Sequence, residues 1–132
     1  MGGDEIMIAI GIGCRRGIAK ESFVEMIQRV LSQIGDAAEV IELFTIEDKH
    51  DEAGLLAAVA DLRLPIRFLS RAALQSVEAS VMTPSRKAET ALGVASVSEA
   101  AALAGAGRDG VLVMSRIASE GVTCAVARGA GR

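Results

Sequence analysis

Residues 6–17 read IMIAIGIGCRRG, from Ile6 to Gly17. The apolar run Ile6 to Ile12 reads as a strand buried on both faces, typical of the centre of a helix-covered sheet. Gly11, Gly13 and Gly17 then punctuate a loop. Downstream, Phe23, Met26, Ile27, Val30, Leu31 and Ile34 fall at helical spacing within Ala19–Ile34, and Gly35 is a plausible stop. Glu39–Thr45 reads as a second strand and Asp51–Arg63 as a second helix. Asp51 and Glu52 stand where acidic side chains favour a helix N-terminus. Pro65 restarts the chain, and Ile66–Leu69 is a third strand. This β-α-β-α-β alternation predicts parallel strands with helices on the sheet.

The second half is less regular. Ser70 can cap a short helix through about Val77. Ala79–Thr83 fits neither period. Ser85 can cap a further helix stopped by Gly93. Ser96 and Glu99 form an S-x-x-E capping-box pattern ahead of an Ala-rich helix to about Ala104. Gly105–Gly110 reads as a flexible turn. Val111–Ser115 and Val122–Ala127 are β runs, separated by Arg116–Gly121, and suggest a terminal hairpin. The tail Arg128–Arg132 is expected to fray. The expected fold is therefore one α/β domain over residues 1–132, with an ordered core over about 6–128. It is a three-layer α/β/α sandwich on a mixed, mostly parallel sheet, with a C-terminal β-hairpin.

Composition narrows the function. The chain has 132 residues, which suits a single core. Its aromatic residues are Phe23, Phe44 and Phe68, so the core must be built from aliphatic side chains. Net charge is −3, and there is no Trp or Tyr. A global basic field and a stacking platform are both missing, which argues against nucleic acid. Cys14 and Cys124 show no disulfide or zinc spacing, so no metal site is expected. The N-terminus lacks a basic leader, and no apolar run reaches the roughly 20 residues a membrane helix needs. The expectation is a cytoplasmic protein with no membrane contact.

Ligands of open α/β sheets bind beyond the carboxyl ends of the strands. Three polar segments fall there: Gly13–Gly17, Thr45–Lys49 and Ser70–Arg71. Parallel strands would bring them to one rim. Gly11–Gly17 fails the dinucleotide pattern G-x-G-x-x-G because Arg16 stands at the third glycine, and no G-K-[ST] completes a P-loop. What remains is a general anion site of loop N–H groups, a helix N-terminus and the cations Arg15 and Arg16. A tight turn with two solvated arginines is the plain alternative.

Cys14 is a candidate reactive thiol if a helix N-terminus and Arg15 lower its pKa; a small buried hydrophobe is the alternative. Lys49 can bind an anion, and Glu52 can act as acid or base or orient Lys49. His50 reads as a surface residue. Ser85, Ser96 and Glu99 read as caps. Thr123 could reach a ligand from the hairpin, although threonine is also simply a good strand residue.

At these residues the chain resembles the cobalamin-biosynthesis family comprising CobE and the C-terminal domain of CbiG. The resemblance covers about Ile6 to Arg128. It rests on GCRRG within Gly11–Gly17 and on the segment Thr45–Lys49 continuing through Asp51-Glu52-Ala53-Gly54-Leu55. Leu64-Pro65, Phe68, Gly93–Leu103 and Val122–Ala127 add to it. One departure is Met114-Ser115-Arg116, where the family commonly has a lysine. Arg116 keeps the cation but cannot readily lose a proton.

The resemblance implies a role in building the corrin ring, on a carboxylate-rich precorrin. The candidate substrate-binding residues are Gly11, Gly13, Cys14, Arg15, Arg16, Gly17, Thr45, Lys49, Glu52, Ser96, Glu99 and Thr123, and no cofactor is expected. Three readings stand open. The chain binds or carries a precorrin of the aerobic pathway, handing it to methyltransferases. Alternatively it is a precorrin hydrolase related to the CbiG lactone opening, with Lys49, Glu52 or Cys14 as catalytic candidates. Or it is a nucleotide-binding module using the glycine loop. The lack of an evident nucleophile–base pair leans toward the first.

Overall fold

The computed structural model describes residues 6–34, 40–82 and 96–131. Five strands form one sheet: β1 (Met7–Cys14), β2 (Val40–Ile46), β3 (Ile66–Leu69), β4 (Val111–Ser119) and β5 (Val122–Gly129). Their spatial order is β3-β2-β1-β5-β4. β1, β2 and β3 are parallel, and β5 runs antiparallel to both β1 and β4. The expected mixed α/β architecture is present.

The two faces of the central strands differ in side-chain size, and this sets the layers. Ile8, Ile10 and Ile12 of β1 and Val122, Cys124 and Val126 of β5 share one core. That core is completed by Phe23, Met26, Ile27 and Val30 of α1 (Lys20–Ile34) and Leu55, Ala58 and Val59 of α2 (Ala53–Leu62). The alternate residues are small: Ala9, Gly11 and Gly13 in β1, and Ala125 and Ala127 in β5. Against them lies the Ala-rich helix α4 (Val97–Ala106), with α3 (Arg71–Gln75) contributing Leu74 to the same second core. Small residues on both sides let backbone approach backbone. A Cβ placed on Gly11 would collide with the Ser98 carbonyl and the Ala102 amide.

That contact explains a correction. Gly11 and Gly13 do not punctuate a loop; they pair within the sheet, opposite Ala125 and Thr123. Gly17, at φ 73, is the glycine of this segment that needs its conformational freedom.

The hairpin also differs from expectation. β4 continues through Arg116 to Ser119, and the connection is the pair Glu120–Gly121. Both have positive φ, 52 and 83, as tight two-residue hairpin turns require. Two register shifts interrupt β4, one between Leu112 and Met114 and one between Met114 and Ile117.

The tail does not fray up to Gly131. Arg128 and Gly129 belong to β5, and the Gly131 amide donates to the Ala106 carbonyl at 2.8 Å. α4 absorbs Gly105, which packs on the Phe44 ring, and Gly107 follows at its C-terminus. The helix expected between Ser85 and Gly93 lies outside the described residues. Ser70 caps α3 as expected, its hydroxyl accepting from the Ala73 amide at 3.1 Å.

Ser96 and Glu99 do not form a capping box. Ser96 stands at the N-cap of α4, but its hydroxyl makes no cap bond. The Glu99 carboxylate instead accepts from the Met82 and Arg116 amides, each at 2.8 Å. The Arg116 amide lies beside a register shift, where a bulge takes an N–H out of the ladder. Glu99 satisfies it.

Candidate functional site

Parallel pairing carries the ends of β1, β2 and β3 to one rim, as their sequence order implied. A cleft of about 820 Å³ opens there, between the β1 and β2 loops, the start of α4 and the β4–β5 hairpin. Its described walls carry the cations Arg15, Arg16, Lys49, Arg71 and Arg116, against the carboxylates Asp48 and Glu120. The polypeptide is acidic overall, yet among the charged side chains along this concavity the positive ones outnumber the negative. A cleft of one predominant sign focuses its field on an approaching anion.

Each cation is placed by the fold. Arg15 and Arg16 follow the last residue of β1, and the Arg15 amide donates to the Gly121 carbonyl at 3.0 Å, tying the loop to the hairpin turn. Lys49 ends a single 3-10 turn, Glu47–Lys49, directly after β2. Arg71 opens α3 after β3. Its guanidinium grips Asp48 with both branches, Nε at 3.3 Å and Nη2 at 2.6 Å. That pairing holds the Asp48 carboxyl below its ordinary range and the Arg71 guanidinium above its own. Arg116 reaches the wall from the irregular part of β4 secured by Glu99.

Beneath the cleft, Glu52 is buried and accepts the Gly17 N–H at 3.1 Å. The Arg16 guanidinium lies 3.8 Å from its other oxygen. The carboxylate therefore braces the left-handed turn at Gly17. This revises the backbone part of the anion-cradle expectation: the amides of Arg15 and Gly17 are used within the protein, and the charge that the loop presents to the cleft is that of the arginine side chains. Thr45 is fully buried and donates to the Ile12 carbonyl at 2.7 Å, clamping β2 to β1.

The Cys14 thiol does not acquire a lowered pKa. Burial at the end of β1 pushes it up to about 11, against the opposing pull of Lys49, with Glu52 raising it further and Arg16 lowering it. It faces the cleft as a neutral thiol at physiological pH. Cys124 is fully buried in β5, its thiol pushed up to about 12. His50 is an exposed residue whose Nδ1 donates to the Glu47 carbonyl at 3.0 Å.

Of the residues singled out in the sequence, Gly13, Cys14, Arg15, Arg16, Lys49 and Thr123 meet in the cleft wall. Gly11, Thr45, Glu52, Ser96 and Glu99 lie behind it as supports and packing surfaces. The cleft also recruits Ser98 and Glu120, to which the sequence alone assigns no individual role. Among the described residues no cluster of His, Cys, Asp or Glu is arranged to hold a metal ion, and no helix is long and apolar enough to cross a membrane.

Fold and cleft together define a mixed-sheet α/β domain with a cation-bearing cleft at its strand ends. Residues 8–127 match the family described as cobalamin synthesis G C-terminus; the chain belongs to it and is a cobalamin-biosynthesis protein of CobE/CbiG type. It is 31% identical over 121 residues to protein CobE of Sinorhizobium sp., spanning 91% of this chain and 79% of that one. It is 32% identical over 122 residues to the cobalt-precorrin-5A hydrolase of Priestia megaterium, spanning 92% of this chain but 32% of the hydrolase. The crystal structure of a CobE from the cobalamin (vitamin B12) biosynthetic pathway superposes with a TM-score of 0.84 at 35% identity. That match covers 93% of this chain and 90% of the crystallised one.

Proposed function

We propose that the cleft binds a precorrin, a carboxylate-rich tetrapyrrole intermediate of cobalamin synthesis, and holds it for other enzymes of the pathway, such as its methyltransferases. The observation that carries this reading is the convergence of Arg15, Arg16, Lys49, Arg71 and Arg116 on one cleft of about 820 Å³ in an acidic chain. Acidic side arms on a ring supply the complementary charge, and a cavity of that size falls within the usual range for sizeable organic ligands. The free state of Cys14 and Cys124 agrees with work in the reducing cytoplasm.

Relatedness to a cobalt-precorrin-5A hydrolase supports a second reading, hydrolysis of the bound precorrin. The geometry favours holding. Glu52 is engaged by the Gly17 amide, and Cys14 is a protonated thiol.

The test is a titration with uroporphyrin, a polycarboxylate tetrapyrrole, read by porphyrin absorbance. Saturable binding is expected, weakened about tenfold or more by Arg15→Ala with Arg16→Ala, with an unchanged circular dichroism spectrum. Absence of binding, or affinity indifferent to both arginines, defeats the reading. Turnover of a precorrin that disappears in Glu52→Gln would establish the hydrolase instead.

A further inference from the structure

The cations supply charge to the cleft, but the wall at α4 is built from neutral groups. Val97 and Ser98, the first two residues of this ten-residue helix, both line it. Ser98 is 1% exposed, and its Oγ has no hydrogen-bond partner. A buried hydroxyl normally has one. Ser96 adds no side-chain cap, so the helix start lacks the usual serine contribution to its first amides.

The opposite side of this corner is Gly13. A Cβ there would stand 2.6 Å from Thr123 Oγ1 and 3.6 Å from the Ser98 amide nitrogen. The missing side chain keeps the Thr123 hydroxyl and the start of α4 on one small space. Thr123 also lines the cleft.

We propose that this corner is a carboxylate subsite, in which Ser98 Oγ, Thr123 Oγ1 and the N-terminal amides of α4 receive one acidic arm of the ligand. The proposal rests on the polycarboxylate reading of the cleft and deepens it. The arginines attract charge without selecting one arm. The corner gives orientation, because hydroxyl and amide donors at a helix N-terminus converge on a single carboxylate. It also gives chemical selectivity. Charge-assisted hydrogen bonds are stronger than neutral ones, so a free acid is held in preference to the corresponding primary amide.

The experiment uses the full chain labelled with nitrogen-15, titrated with propionate and separately with propionamide. Saturable shifts of the Val97 and Ser98 amides are expected with propionate, at clearly lower concentration than with propionamide. Ser98→Ala is expected to weaken propionate and uroporphyrin binding, the latter about tenfold. The same substitution should leave the melting temperature unchanged or higher, since it removes an unpartnered buried hydroxyl and introduces a better helix former. A purely structural serine would not separate affinity from stability in this way.

Unshifted amides in propionate, or a Ser98→Ala protein with unchanged affinity for both ligands, overturns the subsite. Uroporphyrin binding that depends on Arg15 and Arg16 but not on Ser98 removes the subsite alone. Amide shifts with propionate in a protein that ignores uroporphyrin support the subsite and remove only the tetrapyrrole reading.

Discussion

At the scale of single residues, the glycines separate two demands that look alike in the sequence. Gly11 needs space, because any Cβ meets the Ser98 carbonyl and Ala102 amide of α4. Gly17 needs conformation: it stands at φ 73 with nothing within 4 Å of a built Cβ. Gly11→Ala must force α4 off the sheet and is expected to cost about 3 kcal/mol, the upper range for overpacking, since backbone cannot rotate away. Gly17→Ala is expected to cost about 1 kcal/mol, from the left-handed conformation alone. Urea denaturation of the two proteins checks the ranking; equal losses would contradict it. The string GIGCRRG therefore joins a packing surface to a turn, and the Cβ contacts that divide them involve α4, more than eighty residues away. The place of Ser98 in the cleft is illegible for the same reason. In an Ala-rich helix it reads as filler until β1 is laid against it.

At the scale of elements, legibility follows the side-chain periods. β1, α1 and β3 are plain from apolar periodicity, and the parallel pairing of β1, β2 and β3 brings Arg15, Lys49 and Arg71 to one rim. β4 was cut short because it is an edge strand with polar residues and two register shifts, so Arg116–Ser119 resembled a loop. S-x-x-E at Ser96–Glu99 met the pattern of a local cap, but Glu99 faces β4 and serves a distant amide. The hairpin turn makes a prediction at this scale. Glu120 holds φ 52 beside Gly121, a conformation that asparagine tolerates better than glutamate. Glu120→Asn is expected to stabilise the protein by about 0.5–1 kcal/mol in urea denaturation. It also removes a carboxylate from the cleft, so uroporphyrin should bind no more weakly. A destabilised protein would mean that the Glu120 side chain contributes more to the hairpin than its backbone costs.

Across the whole molecule, charge is sorted by position. The net charge is −3, while cations predominate in the described cleft wall. The rest of the molecule therefore carries the excess of negative charge, an arrangement that would steer a polyanion toward the cleft. Steering of this kind acts through solvent and is screened once the Debye length shrinks from about 30 Å at 0.01 M salt to about 3 Å at 1 M. The buried donors at the start of α4 are screened much less. Salt should therefore act mainly on association: the uroporphyrin on-rate is expected to fall about tenfold or more over that range, while the off-rate changes less. Arg15→Ala with Arg16→Ala should flatten the salt dependence of the on-rate, whereas Ser98→Ala should leave that slope intact and raise the off-rate. Stopped-flow porphyrin absorbance separates the two rates. An on-rate indifferent to salt in the unsubstituted protein would show that the cleft's positive field does not guide the ligand.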